Sequence, residues 1–495
     1  MEFDVEYDVV VLGSGASGKS AAYTVASESD LSVAILEKRE VTGGTSVFAE
    51  GHAASESSEA KARKVPDYPG ELPEGAHFPT CEEHAKRYLE FSHYRANPDV
   101  VKAFVYNSAE TIDILKSLGV EYTDVSIYAY DQPNELYTFH RPDGLGARVQ
   151  ELLLRACENA GVDIFTKTPG KELIIEDGKV VGVIAEDADG ELLHIGAKAV
   201  IIATGGFGNN PDMVREYSWT PHLPDFWYCP MTFENTGDGV NMALAAGGDT
   251  RNIGTMIIGN CAWGKTPDSH LNGGGCQPVL WVDTTGKRFA NEGLAANNIY
   301  FPNTIAQRDD GIIYVLMDSD CLQYYMEVGS DIGLGDFVHY HTPLSRLKTE
   351  IEESVNSNDG AAFSADSIEE LAEKLNIDPH TLKETVDIYN GYCDEGYDRD
   401  FYKLSKFLYP VRTAPFYAIR QGVGPLVTCG GIRVNGDFQV VNEKSEAIPG
   451  LYAVGNDASG LYGDTYNMDC PGSANGFAHT SGRLAARHAI SQIGA

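Results

Sequence analysis

DVVVLGSGASGKSAAYTVASES, Asp8–Ser29, decides the fold. It begins with DVVVL, the continuous apolar run of a parallel strand buried on both faces. GSGASG follows at once, and KSAAYTVASES then has the pattern of a helix. This is G-x-G-x-x-G in the setting it requires, between a strand and a helix. Gly13 allows the tight turn, Gly15 lets the backbone approach a pyrophosphate, and Gly18 lets helix and strand pack closely. The first helical residues, Ala16 and Ser17, then face the phosphates. A second strand, SVAILEK, brings Glu37 and Lys38 to its end, with Glu37 24 residues beyond Gly13. A carboxylate there binds ribose hydroxyls. The competing reading is a Gly-rich turn in an unrelated α/β domain. The strand, the helix and the acid together favour a dinucleotide site.

The rest of the composition narrows the class. A chain of 495 residues, 43% of them apolar, suits two or three domains with a large core. It carries 37 basic and 72 acidic residues, a net charge of −35. Such a chain repels nucleic acid and anionic membranes. The acidity is spread along the chain, as on a solvated surface. Nine cysteines, an odd number, include no C-x-x-C pair and no zinc, haem or iron–sulfur spacing. They read as buried thiols in a reducing cytoplasm, and no metal site is expected. The N-terminal MEFDVEYDVVVLGSG leads straight into a strand without a signal-peptide pattern, and no run of about 18 apolar residues exists. The expectation is a cytoplasmic protein with no membrane partner.

After Glu37 comes EVTGGTSVFAEGHAAS (40–55), with Gly43, Gly44, Thr45, Ser46, Glu50 and Gly51. Here the chain resembles the flavoprotein family of soluble fumarate reductases, succinate dehydrogenase flavoprotein subunits and 3-ketosteroid dehydrogenases. In that family this loop runs along the FAD pyrophosphate towards the isoalloxazine. Some members attach the flavin through a histidine in the loop. Thr45 takes that place here, so the resemblance implies non-covalent FAD.

Further motifs extend the resemblance in order. They are FHRPDGLGARVQELLLRACENAGVDIF (139–165), the β-meander of 178–210 ending at Ala203–Gly206, NTGDGVNMALAAGG (235–248), VDTTGKRFANE (282–292), IPGLYAVGNDASG (448–460) and GSANGFAHTSGRLAARHA (472–489). Through them the resemblance adds Ala203, Thr204 and Gly205, Asn235 and Asp238, Gly455 and Asn456, and Ser473, Ala474 and Asn475 to the FAD site. It implies an α/β protein: a Rossmann-like FAD-binding domain of the glutathione-reductase type, 1–245 and 425–495, with an α+β capping domain, 246–424, inserted. The cap's hinges are expected near Asn252–Thr255 and Gln421–Gly424. Residues 367–396 read as two amphipathic helices, with Asp378 and Pro379 at the start of the second. The polar, Pro- and Gly-rich stretch 57–79 reads as a surface loop, and 282–292 as a hairpin.

A flavin in this fold moves a hydride at N5 to or from a carbon of a C=C or CH–CH bond. The protein positions that carbon, polarises the activating group and handles a proton. Fumarate reductases hold two carboxylates with arginines and a histidine, because guanidinium–carboxylate contacts are bidentate. By alignment those places are taken here by Ala296, Val427 and Asp469. A carboxylate at Asp469 repels a dianion, so a small dicarboxylate substrate is not expected. The ketosteroid branch carries tyrosines and Y-P-G-x-G. This chain has CPGSAN with Cys470 in the tyrosine's place, and Ala296 with Tyr300 nearby. Candidate proton donors are Tyr466 in YNMDCPGSANG, Tyr300, and Tyr130 with Tyr128 and Tyr137 in SIYAYDQPNELYTFH. A phenol is a serviceable acid towards an enolate. With 26 tyrosines in the chain, packing is the competing role for each. Cys470 reads as a small buried residue and His140 as a support of the cofactor domain. His52 is a loop histidine within reach of flavin or substrate.

These residues favour an FAD-dependent ene-reductase that reduces the C=C of an α,β-unsaturated carbonyl compound, enone or enoate, steroid-like molecules included. One alternative is the reverse reaction, a 3-ketosteroid-type dehydrogenase. Another is a non-catalytic electron-transfer flavoprotein. With no haem motif and no second nucleotide fingerprint, the enzyme needs a separate electron donor or acceptor beside its small-molecule substrate.

Overall fold

Val9, Val10 and Val11 are completely buried, in a strand that has a parallel neighbour on each side and both faces covered. In the computed structural model, which describes residues 2–68, 71–128, 135–220, 223, 234–335 and 337–494, Val5–Leu12 lies between Val33–Leu36 and Leu192–Ile202. Asp163–Phe165 continues the sheet beyond Val33–Leu36, and Ala447–Ala453 continues it beyond Leu192–Ile202. These five strands are parallel. The antiparallel strands Gly170–Glu176 and Lys179–Glu186 form the expected meander into Leu192–Ile202. Gln439–Val441 completes the eight-stranded sheet.

A second sheet has five strands, all antiparallel and all drawn from residues 256–428. Its order is Met256–Ala262, Phe416–Thr428, Ile312–Met317, Leu280–Asp283, with Ala362–Ala365 also on Phe416–Thr428. The two expected helices are present as Ile368–Leu375 and Pro379–Glu395. The Asp378 side chain accepts the Thr381 N–H and so caps the second. Both bury their apolar faces against one side of this sheet.

Three local expectations change. The 57–79 stretch contains a short helix, Ser58–Arg63, because the Ser57 side chain caps it by accepting the Ala60 N–H. The 282–292 segment is not a two-stranded hairpin. Only Leu280–Asp283 is a strand, and the chain after it turns inward so that Arg288 meets Glu292 and Asp398, each at 2.8 Å. Gln421–Gly424 is not a hinge, since it lies inside the continuous strand Phe416–Thr428. The chain passes between the two sheets where Thr250–Arg251 pairs with Gly431–Ile432 and the Cys429 and Gly430 N–H groups donate to Thr255 O.

Candidate active site

Two adjoining cavities open where strands of the large sheet end. The smaller is built on the first turn. A Cβ on Gly18 would sit 1.9 Å from Gly13 O, and Gly13 itself has φ +105°. Only glycine lets the helix Ala16–Glu28 start this close to the strand. That helix has Gly15 at its N-cap and no side-chain cap, and Gly15, Ala16 and Ser17 line the cavity. The Ala16 N–H donates to Ser46 Oγ at 3.2 Å, and the positive end of the helix faces the cavity, where it favours an anion.

Glu37 lines the same cavity. Its Oε2 accepts the Ser14 N–H at 3.0 Å and the Ser14 hydroxyl at 2.5 Å, and its Oε1 accepts the Arg39 N–H at 2.9 Å. The acid is thus fixed in place at the strand end. Lys38 donates to Thr236 Oγ1 and to Asp238 Oδ2, both at 2.8 Å, and closes the far side. Asn235 donates to Thr204 O and Gly205 O at 3.2 Å each and accepts the Thr45 hydroxyl at 3.1 Å. Gly13, Gly44, Ala203, Thr204 and Gly205 also line this cavity.

Gly18, Gly43, Gly455 and Ser473 are not in either cavity wall but support it. Gly43 donates its N–H to Ser14 O at 3.2 Å. A Cβ on Gly455 would meet Ser17 Oγ at 2.7 Å. One supporting residue escaped the sequence reading. Asp457 is buried, and its carboxylate receives the Thr204 hydroxyl and the Gly205 and Gly206 N–H groups at 2.8–3.0 Å. It follows Gly455–Asn456 in the GNDASG motif, and its position there was the available signal.

The larger cavity shares Thr45, Ser46, Asn456 and Ala478 with the smaller one. Glu50, Gly51, Gly472, Ala474 and Asn475 extend its wall on one side. The five-stranded unit supplies the other side through Ile257, Ile258, Leu334, Phe337, Leu426 and Val427. Gly472 has φ +81°, and a Cβ there would lie 2.8 Å from Ala53 N. The small residue lets the last helix, Ser473–Ile493, begin against the strand His52–Ala53. The first N–H of this helix, that of Ser473, is received by the Tyr466 oxygen. The Asn475 Oδ1 is buried without a partner among the described residues, while its Nδ2 donates to Gly51 O at 3.3 Å.

The glycine-started helix Ala16–Glu28, the fixed acid and the orphaned amide oxygen fit an FAD. The smaller cavity suits its adenosine and pyrophosphate, and the larger suits its ring with space for a substrate. Among the described residues that line the larger cavity there is no lysine, arginine or histidine, and Glu50 is the only acid.

The expected proton donors separate. Tyr466 lines the larger cavity. Its oxygen accepts the Ser473 N–H at 3.0 Å, which leaves the phenolic hydrogen to be donated. Burial pushes its pKa up to about 12, against the lowering effect of Ser473. Tyr300 is 38% exposed and outside the cavity wall. Tyr130 lies outside the described residues. Tyr128 lines the cavity and donates to Glu50 Oε1 at 3.1 Å.

Of the three replaced family positions, Val427 lines the cavity, whereas Ala296 is buried away from it. Asp469 pairs with Arg87 at 3.0 Å and is not among the residues of the wall, so its charge is compensated rather than presented to the cavity. Cys470 is fully buried, as a small packing residue. His52 lies in neither cavity wall. Its ring packs in the interior, 5.1 Å from His479 and 6.0 Å from Tyr122. His140 is held by Ser57 at 2.6 Å and Thr138 O at 2.8 Å, a supporting role.

Comparison with known proteins agrees with this geometry. The FAD binding domain family matches residues 8–470. The vinyl phenol reductase of Lactiplantibacillus plantarum is 32% identical over 495 residues, covering 98% of this chain and 96% of that protein. The NADH:fumarate oxidoreductase of Klebsiella pneumoniae is 27% identical, covering 92% of this chain and 45% of that longer protein. Among solved structures, the 3-ketosteroid Δ1-dehydrogenase of Sterolibacterium denitrificans in complex with 1,4-androstadiene-3,17-dione superposes with a TM-score of 0.78 at 20% identity. It covers 98% of this chain and all of that one.

Proposed function

The chain belongs to the FAD binding domain family and is an FAD-dependent oxidoreductase of C=C and CH–CH bonds, and we propose that it is an ene-reductase of neutral, conjugated alkenes that holds its FAD non-covalently. The observation that carries this reading is the absence of any cation among the described residues of the larger cavity's wall. A dicarboxylate brought into such a cavity loses its hydration and gains no guanidinium in return. A neutral alkene loses little and buries its carbon surface against Ile257, Ile258, Leu334 and Phe337. The relative named a vinyl phenol reductase supports a neutral substrate, and the enones of the sequence reading belong to the same broad class.

Reduced FAD, when bound, supplies a hydride to one alkene carbon. The chain's own residues do the rest. Tyr466 donates the proton for the other carbon, and the Ser473 N–H steadies the phenolate that remains. The five-stranded unit acts as the cap, and its apolar side chains exclude water from the reacting atoms. Thr45, standing where some family members carry an attaching histidine, leaves the flavin unlinked. Electrons come from a separate donor. The eight cysteines of the described residues are all free, which suits a reducing cytoplasm.

Binding tests the reading. Titrating the oxidised holoprotein with neutral enones and aryl alkenes should perturb the flavin absorbance at least tenfold more tightly than fumarate does. Fumarate binding as tightly as the neutral compounds would overturn it. Acid precipitation should release all the flavin. Colour retained on the denatured chain would show a covalent link.

A further inference from the structure

Most polar side chains in the wall of the larger cavity are already engaged. The Thr45 hydroxyl donates to Asn235 Oδ1 at 3.1 Å, and Ser46 Oγ receives the Ala16 N–H at 3.2 Å. Tyr128 donates to Glu50 at 3.1 Å, and both residues have further interactions. Asn272 Oδ1 accepts the Ala262 N–H at 2.9 Å, and its Nδ2 donates to Pro267 O at 3.0 Å, which ties the cap together. Asn456 and Asn475 stand on the side read as holding the flavin. Two asparagines of the cap, Asn260 and Asn298, remain to be explained.

Asn260 lies on the strand Met256–Ala262 and is half-buried in the wall. Its Nδ2 donates to Gln421 Oε1 at 3.0 Å and to Cys276 Sγ at 3.2 Å. Gln421 comes from the neighbouring strand Phe416–Thr428, and both partners are fully buried. The amide is therefore gripped from behind by its nitrogen, with both hydrogens in use. Its oxygen, with two lone pairs, has no hydrogen bond among the described residues. Turned over, the amide would set that oxygen against Gln421 Oε1. Asn298 is different, since its side chain has no hydrogen bond among the described residues and nothing fixes its direction.

An amide oxygen that loses water to a ligand needs a donor in return. A carboxylate or a carbonyl brings only acceptors and gains nothing there. A hydroxyl brings an O–H. Because Asn260 is fixed before the ligand arrives, it loses little freedom on binding. The rest of a ligand at this place meets Ile257, Ile258, Leu426 and Val427. We propose that Asn260, oriented by Gln421 and Cys276, is a specificity-determining residue whose oxygen accepts a hydrogen bond from a hydroxyl group carried by a conjugated alkene. The proposal rests on the ene-reductase reading and narrows its substrate class.

The experiment is a pair of titrations of the oxidised holoenzyme with 4-vinylphenol and with 4-methoxystyrene, followed by the flavin absorbance. The second ligand keeps the oxygen and lacks the O–H. The wild type should bind the phenol about fivefold or more tightly. In Asn260→Leu that ratio should fall by about threefold or more, and taking a ratio cancels any general loss of affinity. Gln421→Met loosens the amide with Asn260 intact and should lower the ratio too, whereas Asn298→Ala should keep it. A wild-type ratio near one in an enzyme that still reduces both alkenes would overturn the assignment and leave the ene-reductase reading standing. Tighter binding of 4-methoxystyrene would overturn it as well, since the amide would then present its N–H. An unchanged ratio in Asn260→Leu, or a loss confined to Asn298→Ala, would take the contact away from Asn260. No binding and no reduction of any neutral alkene would remove the ene-reductase reading and the assignment with it.

Discussion

Tyr466 and Tyr300 have the same side chain and opposite prospects, and one backbone bond makes the difference. Tyr466 is buried and receives the Ser473 N–H at the start of the last helix. On the proposed role, that donor, at the positive end of the helix dipole, would stabilise the phenolate left by proton transfer. Replacing Tyr466 by Phe should lower kcat by about 10²–10⁴-fold while substrate affinity changes little. Stopped-flow rates beside equilibrium titrations would separate the two. An unchanged kcat would assign the proton to another group. Gly18 makes a different residue-scale test. An added Cβ would sit 1.9 Å from Gly13 O, so Gly18→Ala should displace the first turn and yield protein with little bound FAD, as read from its absorbance ratio. Full flavin content would show that the turn is not what holds the cofactor.

At the scale of elements, the cap is tied by a buried ionic knot that reading the chain in order does not reveal. Arg288 meets Glu292 and Asp398, and Lys403 reaches Glu292 at 3.4 Å. Arg288 also lies over the Tyr389 and Phe401 rings at 5.0 Å. Asp398 is buried, which opposes its ionisation, yet the Arg288 hydrogen bond prevails and holds its pKa at about 2. The folded value lies below the ordinary value of about 3.9. Its stabilisation is therefore complete above that value and is lost as the pH falls towards 2. Asp398→Asn should cost about 3–5 kcal/mol at neutral pH, because Arg288 loses a charged partner in the interior. The variant should also lose part of the wild type's acid dependence between about pH 4 and 2. Denaturant titrations across that range check both expectations. Equal pH profiles for wild type and variant would contradict the assignment.

At the scale of the molecule, the candidate site is a cavity whose lining residues are far apart in sequence, and that distance set what could be read in advance. The nucleotide half was legible because its parts are local. Gly13, Gly15, Gly18 and Glu37 lie within one strand–helix–strand stretch, and each has a distinct steric or hydrogen-bonding reason. The family motifs likewise singled out Asn235, Asp238 and Asn475, which line the two cavities. The pairing of Tyr128 with Glu50 was not legible, since a contact across 78 residues leaves no periodic trace. Nor was the compensation of Asp469 by Arg87, 382 residues away. The hinge expected at Gln421–Gly424 failed because glycines in a strand resemble glycines in a linker until the sheet pairing is known. The chain's net charge of −35 adds a molecular expectation. A neutral substrate should not feel this field, so its kcat/KM should change by less than about twofold between low salt and physiological ionic strength. A steep salt dependence would point to a charged substrate.

The most direct test of the account is anaerobic. The holoprotein is reduced with dithionite, freed of excess reductant and mixed with 4-vinylphenol, an enone or fumarate while the flavin absorbance is followed. Rapid reoxidation by a neutral alkene, with the saturated product in equal amount and no response to fumarate, is the predicted result. Reoxidation by fumarate alone would contradict it.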